Sequence, residues 1–254
     1  MPDTSHGSLV PWHWLGIVPY GHMLRRFAAM QAHVTAHPGR GALWLASHPT
    51  VITLGRSANR AHVLASPATL AERGIDVVTI ERGGDVTLHG PGQLMIYPVV
   101  KIRSVVQLLD ALGTAIVEGL SDVGVPGARW QRAPAGVWLG DAKVAACGIH
   151  VARGVVTHGF ALNVATPPAD WQFIQPCGLA TPVISLRDAG APWSAASSPG
   201  AAVVGERVGN RSGALQREPL SAGLAGASAE LLASVALQLA PRLSRALSDV
   251  VVTS

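Results

Sequence analysis

The order of apolar and polar positions divides the chain into distinct stretches. From Tyr20 to His37, apolar Met23, Leu24, Phe27, Met30 and Val34 recur three and four residues apart, and Pro38 and Gly39 follow. That spacing predicts an amphipathic helix with a defined end. Two short apolar runs, 42–48 and 50–55, lie on either side of Pro49 and predict strands. Next come an expected strand over 75–81, a glycine-rich connection over 82–93 and a buried strand over 94–102. Ser104 is placed to cap a helix that runs to about Val123, with Val105, Leu108, Leu109, Leu112, Ile116 and Leu120 on its buried face. Residues 135–164 predict three short strands joined by Gly-Asp and Arg-Gly turns.

Periodicity disappears over 190–226, where Ala, Gly, Ser and Pro dominate, the composition of a low-complexity loop or linker. It returns through Leu231, Leu232, Val235, Leu239 and Leu243, a helix that Pro241 should kink or interrupt. The expected organisation is a catalytic domain over 1–189, a linker over 190–226 and a C-terminal helix over 227–254 docked on that domain.

Composition supports one packed unit. Of 254 residues, 13% are charged and 48% hydrophobic; the charged share is about half the ~25% of an average soluble chain, which argues against disorder and coiled coils. Glycine and proline are abundant, 28 and 18, so many turns are available to carry chemistry. The net charge is +4, yet no run of Lys or Arg marks a nucleic-acid stripe, which leaves an acidic protein as the partner that charge favours. No secretory leader pattern and no apolar stretch of membrane-spanning length is visible, so a cytoplasmic protein without a membrane partner is expected. The two cysteines, Cys147 and Cys177, are too few for a disulfide framework.

Three features could carry chemistry. The segment Arg82-Gly83-Gly84-Asp85-Val86-Thr87-Leu88-His89, continuing through Gly90-Pro91-Gly92-Gln93, combines glycines that admit a ligand to the backbone with an imidazole and a guanidinium. It matches neither a P-loop nor a dinucleotide fingerprint, and a tight structural loop is an equally good reading of its composition. Lys143 sits among alanines and valine, where burial would prime it to pair with an anion or accept a proton; a snorkelling surface lysine is the plain alternative. Cys177 stands between Pro176 and Gly178, a turn setting that suits an accessible thiol, whereas Cys147 on its expected strand reads as structural. Zinc ligation by Cys147, His150, His158 and Cys177 lacks a knuckle spacing. A protease-like pairing of cysteine with His89 or His158 is conceivable.

Three blocks, RGGDVTLHGPGQLMIYP (82–98), GVW with KVAACGIHVARGVVTHGFALNV (136–164), and PCGL with ISL (176–186), resemble the lipoyl(octanoyl) transferase family, the octanoyl-acyl-carrier-protein:protein N-octanoyltransferases of lipoate biosynthesis. HPTVITLGR (48–56) adds to the match, which runs in order from about Leu15 to Leu186. The resemblance implies an α+β fold, a mixed sheet flanked by helices like the catalytic domain of biotin and lipoate protein ligases. It implies Cys177 as nucleophile and Lys143 as the group that lowers its pKa, with no metal and no cofactor. Substrate would be lined by Arg82, Gly83, Gly84, Asp85, Val86, Thr87, Leu88 and His89, by Ala146, Cys147 and Gly148, and by Gly159, Phe160 and Ala161. The implied donor is octanoyl-acyl carrier protein. The implied acceptors are lipoyl domains, such as those of 2-oxoacid dehydrogenase acyltransferase subunits, and the glycine cleavage H protein. The chain departs from the family pattern at Ser47, Leu88 and His150, and in its long 190–226 segment. Two other readings are a lipoate or biotin protein ligase on the same fold, and a non-catalytic module that binds acyl carrier protein through basic residues such as Arg25 and Arg26.

Overall fold

The computed structural model describes residues 9–175, 182–191 and 224–253, with side chains in the last segment from Ala229 onward. The expectations placed on Cys177, and nearly all of those placed on 190–226, fall outside these residues. In chain order the elements are β1 (Trp12–Ile17), α1 (Tyr20–Ala36), β2 (Ala42–Ser47), β3 (Val51–Leu54), α2 (Pro67–Glu72), β4 (Asp76–Thr79), β5 (Val86–His89), β6 (Gln93–Val99), α3 (Val105–Asp122), β7 (Ala128–Arg132), β8 (Ala135–Leu139), β9 (Ala142–Ala152), β10 (Val155–Asn163) and α4 (Leu224–Ser248). Short 3-10 turns lie at Arg60–His62 and Pro168–Phe173.

Local chemistry sets several boundaries. The Ser104 hydroxyl accepts from the Gln107 amide at 3.3 Å, so the expected cap starts α3. Ser66 caps α2 through the Thr69 amide at 3.1 Å, with Pro67 at a first-turn position where no amide hydrogen is needed. Arg153 and Gly154 both adopt positive φ, 53° and 75°, the conformation that reverses the chain tightly between β9 and β10.

Seven strands form one sheet in the order β1-β2-β6-β10-β9-β8-β7, and three form a second in the order β4-β3-β5. The large sheet is mixed: β1 runs parallel to β2 and its other pairs are antiparallel. Its central strands are covered on both faces. Leu43 and Leu45, Leu94 and Ile96, and Val156, Phe160 and Leu162 join the core beneath α3 and α4, while Trp44, Met95, Tyr97 and Ala161 pack toward Met23, Phe27 and Val34 of α1. Two buried faces explain why these strands read as continuous apolar runs rather than alternating ones. The fold is the expected α+β arrangement, a mixed sheet flanked by helices.

Four features depart from the sequence expectations. The stretch 82–93 is not one unbroken connection, because Val86–His89 pairs antiparallel with β3 and buries Val86 and Leu88 in the small sheet's own core. Strand β7, ARWQR, is an edge strand that among the described residues pairs with β8 alone; its polar residues hide it from periodicity. Strand β1 is likewise fixed by its pairing with the distant β2. Pro241 does not interrupt α4. It lies on the exposed side, where water can satisfy the carbonyl its ring leaves unbonded.

Leu231, Leu232, Val235, Ala236, Leu239, Leu243 and Leu247 of α4 lie in the main core, and the Ser244 hydroxyl donates to the Val10 carbonyl at 2.6 Å. Arg242 reaches Glu118 and Asp122 on α3, but that exposed cluster adds little stability; the apolar face holds the helix. Leu239→Ala should therefore lower the unfolding free energy by about 2–5 kcal/mol, read by chemical denaturation. A loss under about 0.5 kcal/mol would show that α4 is not integral to the core.

Candidate active site

The site is built where the loop before β5 meets β9 and β10. The Arg56 amide donates to the Arg82 carbonyl at 3.0 Å, the Ser57 amide to the Gly84 carbonyl at 3.1 Å, and the Gly83 amide to the Ile149 carbonyl at 2.9 Å. The loop thus ties the small sheet to β9. Gly55 is required at this crossing, because a Cβ there would fall 2.3 Å from the Gly84 carbonyl oxygen. A recess of about 60 Å³ lies under the loop. Since roughly 10–15 Å³ holds a water, this is a slot for a narrow group.

Arg82, Gly83, Gly84, Asp85, Thr87 and His89 line the recess, and so do Ala146, Cys147, Gly148, Gly159, Phe160 and Ala161. Val86 and Leu88, expected among them, do not. Alternation along β5 turns their side chains away, into the core of the small sheet, so the departure at Leu88 affects packing there and not the recess. Four lining residues were not expected: Tyr20, Met95, Tyr97 and His158. Met95 and Tyr97 follow from alternation along β6 once its face toward α1 is known, whereas Tyr20 arrives from α1 through tertiary packing alone.

Two local irregularities aim side chains at this face. In β10, Val156, Phe160 and Leu162 point to the α3/α4 core, and regular alternation would send His158 with them. Its φ of 60° turns the ring to the opposite side, 4.8 Å from Phe27 and near the Tyr20 hydroxyl. The neighbouring Gly159 admits the carbonyl of Ile96, which would stand 2.0 Å from any Cβ. In β9 the register against β8 shifts between Val137 and Trp138, and both Val144 and Ala145 enter the α3/α4 core. The extra residue puts Lys143 on the face of Ala146 and Gly148. Its side chain lies over Gly136, where a Cβ would be 3.1 Å from Lys143 Cε.

Lys143 is 7% exposed. Its Nζ lies 4.8 Å from the centre of the Trp138 ring, and no carboxylate pairs with it among the described residues. Lys143 is not among the residues lining the recess, but its charge reaches Cys147, which does line it. Burial pushes the Cys147 thiol up to about 12, against a smaller opposing pull from Lys143. The Lys143 amide donates to the Pro182 carbonyl at 2.9 Å, and the Ile184 amide donates to the Lys143 carbonyl at 3.1 Å. Lys143 therefore anchors the chain where it returns after Cys177.

A directional hydrogen-bond chain supports the loop from below. Arg82 Nη2 donates to Thr53 Oγ1 at 2.9 Å, and Thr53 Oγ1 lies 3.4 Å from His89 Nε2. His89 Nδ1 donates to Gln93 Oε1 at 2.7 Å, and Gln93 Nε2 donates to Asn163 Oδ1 at 2.8 Å. Because the Gln93 amide nitrogen faces Asn163 and its oxygen faces the ring, His89 donates from Nδ1; burial keeps the ring neutral, which leaves Nε2 as the acceptor. His48 is likewise held neutral, donating to the Val18 carbonyl at 2.5 Å and accepting from the Tyr97 hydroxyl at 2.8 Å.

These histidines resist protonation. Burial lowers His48 to about 4, with the Val18 bond opposing it. Burial and then Arg82 lower His158 to about 3; burial, His48 and Arg82 drive His89 well below its ordinary value.

The mixed sheet flanked by helices has the fold of lipoate protein ligases. Two solved structures share the fold: the bipartite lipoate protein ligase of Thermoplasma acidophilum, with TM-score 0.55 and 17% identity over 72% of this chain and 71% of that one, and lipoate-protein ligase A bound with ATP, with TM-score 0.53 and 15% identity over 67% and 77%. The chain belongs to the lipoyl protein ligase A/B catalytic domain family, whose model matches residues 23–198. Among its relatives are octanoyltransferases of Solibacter usitatus, 41% identical over 68% of this chain and 80% of the relative, and of Gloeobacter violaceus, 43% identical over 67% and 77%. Within the family it stands with the acyltransferases.

The three imidazoles give a pH prediction with a definite sign. Their folded pKa values lie below the unfolded value near 6.5, so the unfolded state binds more protons below that pH. Stability is complete above about pH 6.5 and is lost as pH falls toward 4 and 3. Replacing His158 with Asn, which tolerates the positive φ, should make the decline shallower by about 1 kcal/mol per pH unit. Equal slopes in wild type and variant would refute the neutral, buried assignment of His158.

Proposed function

We propose that the chain transfers an octanoyl group from octanoyl-acyl carrier protein to the lysine of a lipoyl domain, through a thioester on Cys177. The observation that carries this reading is Lys143, a buried lysine turned to the recess face by a bulge, its Nζ over the Trp138 ring and with no carboxylate partner among the described residues. A nearby ammonium with no carboxylate of its own favours a thiolate beside it. The described residues on either side of the stretch that holds Cys177 are tied down, the Gln175 amide donating to the His62 carbonyl at 2.8 Å and the Pro182 carbonyl accepting from the backbone amide of Lys143. Small and apolar residues, Ala146, Gly148, Gly159, Ala161 and Met95, line a slot suited to a hydrocarbon chain.

The Cys177 thiolate adds to the thioester carbonyl of the carrier's phosphopantetheine arm. The adduct collapses by breaking the carbonyl–sulfur bond of the donor, leaving an acyl-enzyme and a pantetheine thiolate that takes up a proton. The acceptor lysine then attacks the Cys177 thioester, loses its protons as it forms an amide, and releases the Cys177 thiolate, which the Lys143 charge stabilises on this reading. Both donors are thioesters, so the sequence runs without ATP. Acceptors on this reading are lipoyl domains of 2-oxoacid dehydrogenases and the glycine cleavage H protein, in the cytoplasm. The described helices include none long and apolar enough to cross a membrane.

Intact-protein mass spectrometry with octanoyl-acyl carrier protein, followed by an unmodified lipoyl domain, tests the scheme. A hydroxylamine-labile octanoyl adduct should form and pass to the lipoyl domain. Cys177→Ser should abolish it and Cys147→Ser should retain it, since the Cys147 thiol is pushed far from ionisation. Equal loss in both variants sinks the role assignment, and ATP-dependent modification that survives Cys177→Ala would move the reading to a ligase. Lys143→Met should raise the pKa of Cys177 alkylation by about 1–3 units, read from the pH profile of iodoacetamide labelling; an unchanged profile would remove Lys143 from thiolate stabilisation.

A further inference from the structure

Strand register gives the recess a direction. On the face of the large sheet turned toward α1, Ala146 of β9 pairs with Ala161 of β10, Ala161 with Met95 of β6, and Met95 with Ala46 of β2. Cross-strand partners stand side by side on one face, so these four side chains form a row that runs across the strands. Ala146, Ala161 and Met95 line the recess, and Ala46 is the next position in the row. Met95 is its one bulky member. Beside the row, Gly148 and Gly159 are partners as well and add no side chain to the floor.

The row is open at one end and closed at the other. Ala146, Cys147 and Gly148 on β9 are half-buried, whereas Ala161, Met95 and Ala46 are buried. Next to Met95 on the same face of β6 stands Tyr97, its ring 4.9 Å from Phe27 and its hydroxyl donating to His48 Nε2 at 2.8 Å; that bond fixes it as a side wall. Met95 carries no such bond among the described residues, and a thioether chain adapts to what lies against it. Adjacent strands lie about 4.8 Å apart, so the floor from β9 to β6 measures about 10 Å. An extended octanoyl chain, a zigzag of carbon–carbon bonds near 1.5 Å, measures about 9 Å. The polar thioester then stays at the open end, on the strand that carries Lys143, and the methyl end meets Met95.

Resting on the acyl-transfer reading, we propose that Met95 is the specificity-determining residue that closes the acyl slot and sets the chain length the site accepts. Its side chain fills the place through which the further carbons of a longer chain would pass. A shorter chain stops before reaching it and forfeits those apolar contacts. Met95→Ala turns the row into four alanines and lengthens the slot; Ala161→Val puts two methyl groups into its middle and shortens it.

Acyl carrier protein loaded with hexanoyl, octanoyl or dodecanoyl chains is mixed in turn with the full chain, and adduct formation is followed by intact-protein mass spectrometry. In Met95→Ala the dodecanoyl-to-octanoyl rate ratio should rise by about 10–200-fold, the range a pocket draws from a missing or extra methylene. In Ala161→Val the octanoyl-to-hexanoyl ratio should fall by at least about tenfold. Leu239→Ala, which loosens the core on the other face of the sheet, should leave both ratios as in wild type. Unchanged ratios in Met95→Ala and Ala161→Val overturn the proposal even if every rate falls. So does a shift in Leu239→Ala equal to that in Met95→Ala, which would make chain length a matter of general packing. If Met95→Ala does not fold, Met95→Val, suited to a strand, is read for the same rise. Binding is read apart from transfer, from the melting temperature with octanoate or dodecanoate: the preference for octanoate in wild type should reverse in Met95→Ala. If wild type forms no adduct with any donor, the transfer scheme fails while the melting order still judges Met95. The same order in both proteins, or no stabilisation by either acid, overturns the slot.

Discussion

A β-strand shows successive side chains to opposite faces, and the site depends on two strands that each break this rule once. In β9 the bulge sends Val144 and Ala145 together into the α3/α4 core and so brings Lys143 to the face of the recess. In β10 the positive φ of His158 carries its ring across the sheet toward Phe27 and Tyr20. Regular strands would bury the ammonium beneath α3 and α4, where nothing needs it. Strain and irregular pairing of this kind persist only where surrounding packing enforces them, and here the enforcing structure is a sheet with both faces filled.

The electrostatic character of the recess follows from what burial does to each group. The imidazoles of His48, His89 and His158 are held neutral by desolvation, so they order the loop through directed hydrogen bonds without adding charge. Arg82 and Lys143 bring basic side chains into the same region at low exposure. The guanidinium is fixed by Thr53 and the Gly83 carbonyl, whereas the ammonium rests on the Trp138 ring. A site with this balance favours species that become negative for part of a reaction cycle, as a thiolate and the oxyanion of a thioester adduct do.

The same fold carries ligase chemistry in the solved structures it resembles. What distinguishes the chemistry proposed for this chain is local: a buried lysine, and a cysteine five residues before the Pro182 anchor in sequence. A sheet that fixes the acyl slot can serve either an activated mixed anhydride or a thioester. The nucleophile and its neighbouring charge decide which one reacts.

Much of the architecture was legible in the chain. Apolar spacing gave α1 and α3, Ser104 marked the start of α3, and the Gly-Asp and Arg-Gly pairs marked the turns among β8, β9 and β10, because these signals arise from interactions a few residues long. The glycine-rich segment at 82–89 and the short motifs at 146–148 and 159–161 located most of the recess. Strands β1 and β7 were not legible, since their partners and not their own periodicity define them. The side chains' facing was not legible either. Val86 and Leu88 sit inside a motif assigned to substrate yet face a core, and Tyr20, Met95 and Tyr97 reach the recess from elements whose sequence shows no chemistry. The pairing of His62 with Asp85, 23 residues apart, has no local signal at all. Sequence alone determined which residues were available for chemistry and which segments fold locally. Tertiary structure decided which of them meet, because a bulge, a positive φ and a strand register depend on contacts between segments far apart in the chain.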